Sequence, residues 1–172
     1  MTGTQTKAIL KVARRTSIHV VLDNLRSVYN IGAIFRTSDA ILAEKLHLCG
    51  ITAHPPRPDL EKTALGATQV VPWEYSRSTR ETLLKLKKKG FQICALELTP
   101  QSLDYKEAKF NFPMALIVGN EVDGVSSEAL ALADLVVAIP MLGRAKSLNV
   151  ATAYGIVAYE ALYASTNIGK RC

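Results

Sequence analysis

Residues 139 to 155, IPMLGRAKSLNVATAYG, place hydrogen-bonding side chains at the start of a helix. An apolar strand end closes at Pro140, a Gly-basic-Ser loop follows, and an apolar helix begins directly after it. Ser147 and Asn149 sit where that helix begins, with Arg144 and Lys146 in the loop beside them. The first backbone N–H groups of a helix lack intrahelical partners and face outward, so such a loop can hold a polar ligand. Read alone, the stretch is more simply an ordinary strand-loop-helix connection with Ser147 as the N-cap.

Two further segments carry similar chemistry. NLRSVYNIGAIFRTSDA, residues 24 to 40, places Asn24, Asn30 and Gly32 at a loop-helix junction after an apolar strand. Open α/β sheets bind ligands at such junctions. Arg36 follows six residues after Asn30, and its guanidinium could hold a phosphate through two parallel hydrogen bonds. The plainer reading has Asn30 capping the helix and Arg36 paired on its surface. In ALIVGNEVDGVS, residues 115 to 126, an apolar strand breaks at Gly119 into a loop bearing Asn120, Glu121 and Asp123, closed by Gly124. It lacks the Gly-Lys-Ser/Thr ending of a P-loop and the alternating oxygen ligands of a calcium loop.

The histidines, His19, His47 and His54, all lie outside these segments, so Ser147 has no evident general base and a Ser-His-Asp reading fails. A Gly-x-Gly-x-x-Gly fingerprint is absent, which argues against a dinucleotide enzyme. The three cysteines, Cys49, Cys94 and Cys172, lack metal-site or disulfide spacing. No metal is expected.

The elements that must position these loops alternate in type. Apolar runs at 18–22, 45–49, 69–71, 91–96, 114–118 and 135–139 read as strands. Helical spacing covers 31–42, 79–89, 127–133 and 148–164, and 51–66 reads as the longest irregular loop. Strands separated by helices predict an α/β fold, with a mainly parallel sheet and helices on both faces. The chain of 172 residues is expected to form one domain, with residues 1–16 as a short basic extension.

The formal net charge of +6 points to a polyanionic partner. Lys7, Lys11, Arg14 and Arg15 could share one helical face and contact nucleic acid, and Arg144 and Lys146 lie in the ligand-like loop. Lys87 to Lys89 close a helix, where cations offset its dipole. With no apolar leader and no run near the roughly 20 residues of a membrane span, a cytoplasmic location is expected.

Taken together, N-x-R-x-x-x-N-x-G-x-x-x-R near the start, the Gly-Asn-Glu loop and IPMLGRAKSLNV near the end resemble the SpoU/TrmH family of the SPOUT superfamily. These are S-adenosylmethionine-dependent RNA 2′-O-ribose methyltransferases. The resemblance spans about residues 17 to 164, and KTALGA at 62–67 is similar to the family's middle loop. It implies a deep C-terminal trefoil knot, a device too rare for spacing rules to suggest, and a homodimer. It implies that Gly119, Ile139 and Leu148 bind the cofactor, largely through loop backbone. Asn30, Arg36, Glu121, Ser147 and Asn149 would then form the catalytic or substrate-positioning set, with tRNA the first substrate and rRNA the second. Arg36 would clamp an RNA phosphate and stabilise the developing alkoxide, because a guanidinium does not deprotonate in proteins. The alternative is a non-catalytic RNA-binding module that keeps the fold.

Overall fold

Five of the six apolar runs enter a single seven-stranded sheet in the computed structural model, which describes residues 15–166. The strands are β1 (Thr16–Asp23), β2 (Ala43–Cys49), β3 (Trp73–Ser76), β4 (Gln92–Leu96), β5 (Leu103–Asp104), β6 (Met114–Gly119) and β7 (Leu135–Ala138). The helices are α1 (Val28–Ala40), α2 (Pro58–Ala64), α3 (Ala67–Val70), α4 (Thr79–Lys88), α5 (Ser127–Leu130) and α6 (Val150–Thr166). Strand order is β3-β2-β1-β6-β4-β7-β5, and every pairing is parallel. The chain runs outward from β1 to β3, crosses to the other side for β4, and later inserts β6 between β1 and β4.

That insertion explains the unbroken apolar run of β6, in which all six residues are buried. A strand covered on both faces cannot alternate polar and apolar positions. Met114, Leu116 and Val118 join one core cluster with Ile31 and Phe35 of α1 and Tyr154 of α6. Ala115 and Ile117 join the opposite cluster with Leu83 of α4 and Ala129. Cys49 and Cys94 are buried in these clusters, and burial pushes the Cys94 thiol up to about 12.

Several elements differ locally from those expected. Residues 69–71 are not a strand: Ala67–Val70 is the short helix α3, and the strand begins only at Trp73. The span 51–66 is not a continuous loop, because Pro58 opens α2. Leu103–Asp104 is a two-residue edge strand that gave no periodic signal. The last helix starts at Val150 rather than Leu148. Gly32 lies inside α1, where a Cβ would stand 2.2 Å from Thr63 Oγ1. Its glycine lets α1 and α2 pack closely and is not a ligand contact. Among the described residues, no helix is long and apolar enough to cross a membrane.

On the α4 side of the sheet, His19 Nδ1 and His47 Nε2 lie 2.8 Å apart. His47 Nδ1 faces Glu74 Oε1 at 2.9 Å, though poorly aligned for a hydrogen bond. Burial dominates both rings; with the neighbouring His19, and against Glu74, it lowers the His47 pKa to about 4. A histidine whose folded pKa lies below its ordinary 6.5 gives its full stabilisation above pH 6.5. That stabilisation, roughly 3 kcal/mol, is lost as pH falls toward 4, because the unfolded chain binds the proton more readily. Urea unfolding at pH 7.5 and pH 5 should therefore show a marked acid loss in the wild type and a flatter response in His47→Gln. An equally steep fall in His47→Gln would place the acid sensitivity elsewhere.

Candidate active site

A cavity of about 530 Å³ opens at the carboxyl ends of β4, β6 and β7. Its walls are the segments after these strands together with residues 146–149 and the first turn of α6. Parallel sheets place ligands beyond their carboxyl ends, near the point where strand order reverses. Here that point lies between β1 and β4, the gap that β6 fills.

The loop after β6 is closed on itself. Asn120 and Gly124 exchange backbone hydrogen bonds of 2.9 Å in both directions. Asn120 Oδ1 accepts from the N–H groups of Val122 and Asp123, and its Nδ2 donates to the Asn24 carbonyl at 2.7 Å. Gly119 is required by space: a Cβ there would stand 2.1 Å from the Gly124 carbonyl carbon and the Val125 nitrogen.

This closed loop aims Glu121 at the start of α1. Its Oε2 accepts from the Arg26 N–H at 3.0 Å, and its Oε1 accepts from the Ser27 N–H at 3.0 Å and Asn30 Nδ2 at 2.9 Å. Partial burial pushes the carboxyl up, but these donors outweigh it and hold its pKa below the usual carboxylate value. Asn30 Oδ1 in turn accepts from Asn149 Nδ2 at 2.9 Å. Asn149 Oδ1 accepts from the N–H groups of Ala151 and Thr152, so Asn149, not Ser147, caps α6. Likewise Ser27, not Asn30, caps α1, accepting from the Asn30 N–H. One hydrogen-bonded chain, Glu121–Asn30–Asn149, thus links all three sequence segments.

Glu97 is fully engaged, accepting from the N–H groups of Leu98 and Val125. Glu121, Asn120 and Asn149 are committed to the network. Ser147 and Lys146 line the cavity, are exposed, and form no hydrogen bond or ion pair with another described residue. Gly119, Ile139 and Leu148 line the same cavity. The remaining wall is mostly apolar, including Leu96, Leu98 and Met141, and Leu98 stays 67% exposed. A partly apolar wall with few unspent polar groups suits a small amphipathic ligand.

Other expected site residues stand apart. Arg36 is exposed on α1, about 9 Å along the helix axis from Asn30, and does not line the cavity. Arg144 is exposed in the loop before α6. Arg15 donates to the backbone carbonyls of Ala43 and Val70, which anchors it to the fold. Lys7, Lys11 and Arg14 lie outside the described residues. KTALGA closes α2, turns at Leu65 and Gly66, both at positive φ, and opens α3. No histidine lines the cavity.

Sequence reasoning missed two supports. Asp23 is buried: its Oδ1 accepts from Thr79 Oγ1 at 2.6 Å and Asn24 Nδ2 at 2.9 Å, and its Oδ2 accepts from the Ser126 N–H at 2.8 Å. Glu97 was the other. A carboxylate at the end of an apolar strand was the available signal for Asp23.

A parallel α/β sheet with a cavity at the carboxyl ends of its strands belongs to the class of folds that bind small ligands there. The SpoU rRNA Methylase family model matches residues 17–159, and the chain belongs to that family. It is 38% identical over 149 residues to the tRNA (guanosine(18)-2′-O)-methyltransferase of Aquifex aeolicus, covering 86% of this chain and 70% of that protein. The crystal structure of the A. aeolicus TrmH/SpoU tRNA modifying enzyme superposes with a TM-score of 0.82 at 35% identity, covering 91% of this chain and 79% of that one. The SpoU methyltransferase AviRb from Streptomyces viridochromogenes, solved in complex with AdoMet, superposes with a TM-score of 0.78 at 28% identity. That match covers 90% of this chain and 63% of AviRb.

Proposed function

We propose that the chain is an S-adenosylmethionine-dependent methyltransferase that modifies a ribose 2′-hydroxyl of tRNA. The observation that carries this reading is the cavity joined to the Glu121–Asn30–Asn149 chain, because it brings residues from three of the family's motifs to one site. The named activity of the tRNA-modifying relatives makes a tRNA bearing guanosine 18 the first substrate. Residues of 118–124 and of 139–149 wall the same cavity, which supports the looping of the trefoil knot that the family resemblance implies. Exposed Leu142, Tyr159 and Tyr163 support a homodimer, and tRNA as substrate supports a cytoplasmic site of action.

The cavity's apolar wall fits the cofactor, with Gly119, Ile139 and Leu148 holding it. When bound, S-adenosylmethionine supplies an electrophilic methyl group on a sulfonium. The protein's task is then to bring one hydroxyl into line and to accommodate its proton. Ser147 is free to hydrogen-bond the ribose, and Lys146 places a positive charge near the phosphate. Glu121 holds Asn30 and the start of α1 in place. Arg36, outside the cavity, grips an RNA phosphate through the two parallel donors of its guanidinium.

Calorimetry with S-adenosylmethionine, followed by tritium transfer into tRNA transcripts and mapping of 2′-O-methyl positions, tests the assignment. Saturable binding and one mapped position per tRNA are expected; absence of cofactor binding would leave the RNA-binding module instead. Arg36→Lys keeps the charge but loses the planar fork. Its kcat/KM for tRNA should fall about tenfold at every pH. A lysine variant as active as the wild type would remove the two-bond clamp.

A further inference from the structure

We infer that an aromatic platform at the β3 edge of the sheet binds an unstacked RNA base a short distance from the methylated ribose. The inference rests on RNA being the substrate. Three rings form the platform: His54 from the segment after β2, and Trp73 and Tyr75 from β3. The His54 and Tyr75 ring centroids are 4.5 Å apart, and His54 lies stacked at 6.2 Å and 23° to Trp73. His54 and Tyr75 are exposed, Tyr75 at 42%.

The rings are held in place before any ligand arrives. His54 Nδ1 donates to the Pro55 carbonyl at 3.0 Å, and Tyr75 Oη donates to the Gly50 carbonyl at 3.0 Å. Trp73 packs against the core. A buried aromatic cluster would need no explanation, whereas a fixed and exposed one offers π-faces to a partner. Base–aromatic stacking uses such faces and tolerates any base.

Charge and position select RNA as the occupant. Arg77 directly follows β3 and is exposed with no ion-pair partner among the described residues. Arg57 lies three residues after His54 and is also exposed, where it pairs with Asp59. Ser76, Cys49, Asp23 and Gly119 stand in one row across β3, β2, β1 and β6. Three strand spacings of about 4.8 Å put the platform edge about 14 Å from the cavity wall. A short run of nucleotides bridges that distance. The two places are also joined by hydrogen bonds: Ile51 N–H donates to Asn24 Oδ1, and Asn120 Nδ2 donates to the Asn24 carbonyl. A strand entering the cavity therefore continues over a rigid path to the rings.

Trp73 is the only tryptophan of the chain, so its emission reports the platform directly. The full-length protein is titrated with an unmodified tRNA transcript, with filter retention measuring total binding in parallel. Saturable quenching at the binding midpoint is expected. His54→Ala and Tyr75→Ala should each raise the tRNA KM about tenfold, with kcat and cofactor affinity unchanged. Tyr75→Phe keeps the ring but loses its hydrogen bond to Gly50, so its KM should rise clearly less than that of Tyr75→Ala, which separates stacking from folding; thermal melts confirm each variant is folded. Bound and methylated tRNA with unchanged Trp73 emission and wild-type KM in the alanine variants would overturn the platform and leave the enzyme assignment standing. Quenching without methylation would sink the assignment and keep the platform. Dissociation of a dimer in the alanine variants, seen by sedimentation, would show that a second copy of the chain covers the rings and would overturn the RNA reading.

Discussion

Glu121→Gln is expected to cut kcat/KM by about a hundredfold or more while moving the melting temperature by only a few degrees. The reason is the direction of hydrogen bonding. Asn149 Oδ1 is fixed as an acceptor by the Ala151 and Thr152 N–H groups at the start of α6, so its Nδ2 must donate to Asn30 Oδ1. Asn30 Nδ2 must then donate to Glu121, which accepts from all three of its donors. A carboxylate accepts at both oxygens, whereas a glutamine amide carries two N–H donors on one side. Whichever way the introduced amide turned, it would set donor against donor and release either the α1 start or Asn30. A loop displacement near 1 Å at the reacting centre is enough for the stated loss.

We propose from the same geometry that Glu121 is a positioning residue rather than the general base. Its donors hold it ionised below the ordinary carboxylate pKa, so its contribution is present above that range and is lost only as pH falls through the lowered value. The pH–rate profile of Glu121→Gln should accordingly keep its shape at reduced amplitude. Disappearance of a limb near neutral pH would identify Glu121 as the proton acceptor and overturn the positioning role.

Gly119→Ala should abolish cofactor binding and lower the melting temperature by about 10 °C. The added Cβ meets backbone, not a movable side chain: the Gly124 carbonyl carbon and the Val125 nitrogen, each at 2.1 Å. Neither can retreat without breaking the paired Asn120–Gly124 bonds or the Val125 N–H to Glu97. Strain of this kind costs on the order of 3 kcal/mol, and each kcal/mol shifts a domain of this size by about 2–4 °C. Gly143→Ala is the matched control, since a Cβ there meets nothing within 4 Å. Calorimetry with S-adenosylmethionine and a thermal melt check both variants. Wild-type affinity in Gly119→Ala would mean that the loop does not form the cofactor wall.

The strands that run through the sheet's middle were legible because burial on both faces leaves long apolar runs, as in β6. The edges were not. Leu103–Asp104 is too short to show a period, and Trp73–Ser76 mixes a core-facing Trp73 with Glu74, which pairs with Lys45. The motifs identified loops that converge on one cavity, and all but Arg36 of the expected set lie in that cavity or its hydrogen-bonded chain. Roles within the loops were harder to read. Ser147 and Asn149 are both good caps by type, and only the three-dimensional path of α6 assigns the cap to Asn149 and leaves Ser147 free. Asp23 and Glu97 were invisible as supports because their partners, Thr79, Ser126 and Val125, lie 28 to 103 residues away.

Those separations bear on the order of assembly. Asn30 meets Glu121 across 91 residues and Asn149 across 119. Closing such long loops comes late, because their entropy must be overcome before the contacts form. A chain emerging from the ribosome therefore has no half-built version of this site: until α6 has docked, Asn30 lacks one neighbour and the cavity lacks a wall. Ligand affinity consequently works as an all-or-none gauge of completed folding, and damage to the last helix would silence the site as fully as damage to the loop that bears Glu121.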